Sequence, residues 1–122
     1  MPGSTLLLPR MILKKGEKLH VIHRRHYKED QHRHFIGVVE EFEAGLARVI
    51  GHVYTVDTSQ FIFVRRPEMR TRIISLVGGD LLLNIIPHAV ELEKIVYLQE
   101  KKAVRITDGS DWHLDISEFT WK

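Results

Sequence analysis

One property of this chain narrows its fold more than any other. Apolar and polar residues alternate with period two along most of its length, and no stretch sustains a helical repeat for more than about two turns. A strand turns successive side chains to opposite faces, so the pattern describes half-buried strands. Residues 18–27 alternate, and a turn at Lys28-Glu29-Asp30 leads into a second run over 33–43. A turn at Glu43-Ala44-Gly45 leads into a long run over 46–57, and the next turn spans 57–60. Residues 61–66 and 71–76 flank Pro67-Glu68, which predicts a hairpin because proline suits the first central position of a type I turn. Val77-Gly78-Gly79-Asp80 signals another turn. The largely apolar run LLLNII at 81–86 then predicts a strand buried on both faces. Only residues 87–94, opening with Pro87, suit a short helix. Runs over 94–99, 103–107 and 112–116 complete about nine strands.

Tight turns between sequential strands predict an all-β, antiparallel meander of about eight or nine short strands, closed into a small barrel or folded over as a sandwich. Gly37 and Gly51, inside strands, are expected at bulges or sharp bends of a curled sheet. Phe35, Phe42, Val53, Phe61, Phe63, Ile73, Leu82, Ile85, Val96 and Ile106 are the expected core. With 122 residues and no sign of a linker, the pattern predicts a leader over 1–17 and one β domain over 18–122.

Composition removes several chemistries. The chain has no cysteine, which excludes disulfides, thiolate catalysis, iron–sulfur clusters and cysteine-rich zinc sites. The apolar runs at 6–8 and 11–13 are split by Pro9 and Arg10, too short for a signal segment or a membrane span, so a cytoplasmic protein without a membrane partner is expected. The net charge of +2 conceals a gradient: eight Lys/Arg against three Asp/Glu over 1–34, five against five over 35–76, and five against eight over 77–122. Such a layout suits head-to-tail self-association or a polyanion at one end, as well as an ordinary solvated surface.

Two segments carry candidate sites. HVIHRRHYKEDQHRH, residues 20–34, holds five of the eight histidines. With Glu29-Asp30 as the tip, Tyr27 faces His32, His26 faces Arg33 and Arg25 faces His34. Alternation then puts His23, His32 and His34 on one face, the beginning of a zinc shell, although Arg25 opposite His34 would repel a cation. The same segment offers Arg24, Arg25, Lys28 and Arg33, with Lys14, Lys15 and Lys18 upstream and Tyr27 and Phe35 as stacking planes. That is the combination with which small β-barrels hold single-stranded nucleic acid. A solvated basic hairpin is the third reading.

The second segment is RRPEMRTR at 65–72. A tip at Pro67-Glu68 sets Arg65 against Arg70 and brings Arg72 and Phe63 to the same face. Like charges directly opposed on a sheet are destabilising, so the pairing needs an anion between the guanidiniums, exposure at the tip, or acidic neighbours such as Glu40, Glu41 and Glu43.

No catalytic arrangement rises above background. None of the five serines lies in a nucleophile-elbow context, and VGGD lacks the helix that a phosphate loop needs. The pairs Glu91/Glu93 and Asp108/Asp111 read as surface charge. His52 and His88 read as structural histidines near apolar strands, and His113/Asp115 as an exposed edge. The sequence therefore predicts a non-enzymatic binding module for a polyanion or anionic ligand. Self-association into a homo-oligomer and a histidine-held zinc are the alternatives.

Overall fold

In the computed structural model, described over residues 13–23, 32–57, 62–78, 81–100 and 103–116, the alternating runs become eight strands. They are β1 (Lys18–His23), β2 (His32–Glu43), β3 (Leu46–Asp57), β4 (Ile62–Ser75), β5 (Leu81–Ile86), β6 (Val96–Glu100), β7 (Ala103–Thr107) and β8 (His113–Asp115). The protein is all-β. Every pairing is antiparallel, in a five-stranded sheet of order β4-β3-β2-β1-β5 and a three-stranded sheet of order β6-β7-β8. The two sheets pack as a sandwich, and the barrel does not close.

The large sheet is apolar on both faces. One face meets the small sheet through Ile36, Tyr54 and Ile86 against Val104, Ile106 and Ile116. The other curls around Leu19, Val21, Phe35, Val39, Ala47 and Val49. Ile74 from β4, Leu76 just after it, and Leu81 and Leu83 from β5 pack on this second cluster, although β4 and β5 are the two edges of the sheet. The sheet is thus bent into a trough with an unsealed seam.

Gly37 and Gly51 allow that bend. They are cross-strand partners, and a Cβ on either would overlap the opposing backbone at Ile50 or Ile36. Only glycine lets two strands meet so closely. The β2–β3 hairpin turns at Ala44 (φ 47°) and Gly45 (φ 82°), the left-handed pair that matches strand twist.

Several expectations are corrected. Residues 62–75 form one strand of 14 residues, with no hairpin at Pro67. The register with β3 shifts between His52 and Tyr54, so Arg66, Pro67 and Glu68 bulge out where β3 offers only Val53. Proline, which has no N–H to give to a ladder, is at home in a bulge on an edge strand. In place of a helix over 87–94 there is a single 3-10 turn at Leu92–Lys94. Val90 and Ile95, buried on either side of it, anchor the segment to the intersheet core and leave no room for regular winding. Ile73, Ile85 and Val96 are exposed because each lies on an edge strand. For the same reason 81–86 is largely half-buried.

The segment before β1 is built into the fold where described: Leu13 is buried, Gly16 donates to the Val39 carbonyl, and the Val39 N–H donates to Glu17. Among the described residues no helix is long and apolar enough to cross a membrane.

Candidate functional site

The strand register decides what the histidine-rich segment offers. β1 and β2 pair Ile22 with His34 and His23 with Arg33, three residues away from the pairing that a Glu29-Asp30 tip implies. A shift by an odd number moves side chains to the other face. His23 and Arg33 therefore share the trough face, while His34 turns to the small sheet. The zinc shell expected from His23, His32 and His34 loses its geometric basis, since His23 and His34 stand on opposite faces. His32 begins β2 opposite Val56. Among the described residues no group of three His, Asp or Glu side chains is placed to hold a metal ion. Arg24, Arg25 and Lys28 lie outside the described residues.

The arginines of β4 are sorted in the same way. Arg65 pairs with Tyr54 on the face toward the small sheet, and its guanidinium donates to the Glu93 carbonyl at 3.4 Å. Arg70 and Arg72 pair with Gly51 and Val49 on the trough face. The expected opposition of Arg65 and Arg70 is thus not formed: they lie along one strand and point to different faces. Glu40 and Glu41 are engaged elsewhere, with Arg48 at 3.3 Å and Lys15 at 3.8 Å. Arg66, which the sequence reading left out, is turned into the trough by the bulge.

These placements assemble a groove of about 740 Å³ along the seam. Val21, Phe35, Val53, Ile74 and Leu81 form its floor, while His23, Arg33, Arg66, Arg70 and Arg72 contribute to its rim. Arg70 is paired with Glu68 at 2.9 Å, and the Arg72 guanidinium lies 5.8 Å from the centre of the Phe35 ring. No ion pair found among the described residues involves Arg33, Arg66 or Arg72. Guanidinium forks that converge above an apolar floor suit a planar or tetrahedral oxyanion.

On the reverse face lies a group that sequence reasoning missed. His20 and His34 are buried, with Nε2 of His20 at 2.9 Å from Nδ1 of His34. The Asn84 amide donates to Nδ1 of His20 at 3.2 Å, which leaves the His20 proton on Nε2, donated to His34. The Tyr97 hydroxyl, from the small sheet, lies 2.7 Å from the same His34 nitrogen. Burial lowers the His20 pKa to about 4 and raises that of Tyr97 well above its usual value, so these two stay neutral near pH 7. The available signal was local: His20 falls between the apolar Leu19 and Val21, and Asn84 is the one polar residue of the strand LLLNII.

The remaining candidates sit on the surface. His52 is half-buried, its pKa lowered by burial and by Arg65, and the exposed His88 accepts the Lys18 ammonium on its carbonyl at 2.7 Å. Asp108 binds the hydroxyl and amide of Ser110 and the amide of Glu91, which hold its pKa down to about 2 and mark it as a turn-forming carboxylate. Compared with protein-family models, curated proteins and solved structures, the chain matches none.

Proposed function

We propose that this protein is a non-enzymatic binding module whose ligand is an anion seated in the trough groove. The observation that carries the reading is the gathering of Arg33, Arg66, Arg70 and Arg72 around one opening, three of them outside the ion pairs found among the described residues. Like charges so placed repel one another, and an anion among them would relieve that repulsion. Arg33, Arg70 and Arg72 are retained from the sequence reading and Arg66 is added. Arg65, on the other face, takes no part. Single-stranded nucleic acid is one form of such a ligand.

The test is fluorescence anisotropy with a random-sequence single-stranded RNA and, separately, thermal stabilisation by inorganic phosphate, each at low and moderate salt. Binding that falls steeply with salt and is lost in an Arg70→Ser, Arg72→Ser double variant supports the groove. Anion binding untouched by that variant refutes it.

Self-association is the second reading, favoured by the edge strand β4, which exposes Val64, Met69 and Ile73 beside an unpaired backbone edge. Arg65, Arg66, Arg70 and Arg72 on the same strand oppose it. Sedimentation of concentrated protein separates the two readings, because a strictly monomeric protein leaves only the first.

A further inference from the structure

The groove's rim accounts for a charge but not for its floor. Phosphate alone, or a backbone tracking across the surface, would leave the half-buried Val53, Ile74 and Leu81 facing water. The floor also bears on which ligand body fits. Nucleobases bind through open aromatic faces. On the floor the one aromatic ring is that of Phe35, and the Arg72 guanidinium already lies over it, while the His23 imidazole belongs to the rim. The rest of the floor is branched aliphatic, a surface that gains from burying methylene groups and has no stacking plane to offer. The volume of about 740 Å³ is that of a small-ligand site, and the seam between β4 and β5 leaves it open along one side.

We infer that the ligand is an anionic amphiphile: one alkyl chain lying on Val53, Ile74 and Leu81, with a carboxylate or phosphate monoester head held by Arg33, Arg66 and Arg72. This rests on the anion-binding reading of the same groove and narrows it to a class. Charge fixes the head at the rim, and the chain length sets affinity. A free amphiphile and the same head on a membrane lipid share this chemistry; the geometry favours the free molecule, because the floor lies inside the curl of the sheet and not on a projecting surface.

The experiment is isothermal titration calorimetry of the full chain with inorganic phosphate, butyl phosphate, hexyl phosphate and octyl phosphate, all below the concentration at which they form micelles. In parallel, the protein is co-sedimented with phosphatidylcholine vesicles containing a minor fraction of phosphatidic acid. Affinity should rise about two- to fourfold for each methylene that the floor covers. The Thr55→Phe variant, which places a ring in the groove, and Leu81→Gln, which makes the floor polar, should each flatten that series. Circular dichroism melts establish which of the two remains folded.

Phosphate binding with no dependence on chain length overturns the amphiphile and leaves the anion groove standing. Absence of binding by every member, inorganic phosphate included, overturns both. Binding to acidic vesicles without binding of octyl phosphate, or RNA binding that octyl phosphate does not displace, also overturns the amphiphile. A chain-length series as steep in both folded variants as in the parent protein does the same.

Discussion

Arg33 and His34 are neighbours in sequence, yet they work in opposite surroundings. Arg33 belongs to the open face of the large sheet, where guanidiniums ring a groove. His34 belongs to the closed face, where the small sheet covers it and its partners are His20 and Tyr97. A charge on the open face is hydrated, and its value lies in what it attracts. Polar atoms on the closed face have lost water and are tolerated because they bond one another. One strand thus supplies both surfaces, and a one-residue slip in pairing would exchange them.

The strongest way to break this contrast is to remove the bend that creates both surfaces. Gly51→Ala, or Gly37→Ala, forces a methyl into the facing backbone, and neither strand can yield without losing its ladder. A loss of about 4 kcal/mol or more, measured by urea unfolding, is expected. A wild-type midpoint would mean that the strands do not approach so closely.

The next test titrates the closed face alone. His20 has a folded pKa near 4 against an ordinary value of 6.5, so the unfolded chain binds the proton more readily. Its contribution is therefore intact above pH 6.5 and is lost as the pH falls toward 4, by about 3 kcal/mol in total. His52, also lowered, adds to the slope in the same sense. Asp108 acts in a different window, losing its contribution as the pH falls from 3.8 through about 2. His20→Gln keeps hydrogen-bonding atoms without titrating, and should lose most of the slope between pH 6.5 and 4, leaving the part that His52 contributes. Unfolding midpoints across that range decide the matter, and a slope as steep as the parent's would move the effect away from His20.

Smaller effects sharpen the comparison. Tyr97→Phe removes the hydroxyl beside a histidine nitrogen that His20 still serves, for a loss of about 1 kcal/mol. Arg70→Ser with Arg72→Ser should change stability by no more than about 0.5 kcal/mol, since both side chains are solvated, while removing anion binding. The closed face would then govern folding and the open face recognition. A double arginine variant that unfolds readily would erase that division.

The strands were legible in the sequence because alternation is local. Residues 46–57, 81–86 and 103–107 have the bounds that the pattern assigns. The surfaces were not, because they depend on pairing between strands. Within β2 the pattern puts His34 opposite in sense to Arg33, but which one faces solvent follows from Ile22 lying across from His34, and no turn residue announces that. β4 misled for a related reason: Pro67-Glu68 carries turn chemistry, and only the length of β3 shows that the chain continues straight through a bulge. Ile73 and Ile85 carry core side chains at positions that become edges once the strand order is known.

That edge has a colloidal consequence. β4 is 14 residues long, and Met69 and Ile73 are each about two-thirds exposed, which makes it a template on which a second strand would readily grow. Its four arginines act as insulation, since antiparallel pairing of two copies would bring guanidiniums together. Insulation of this kind is electrical and weakens as the Debye length shrinks from about 10 Å at 0.1 M salt to about 3 Å at 1 M. Unlike proteins that salt keeps in solution, this one should be most dispersed in dilute buffer and should gather as ionic strength rises.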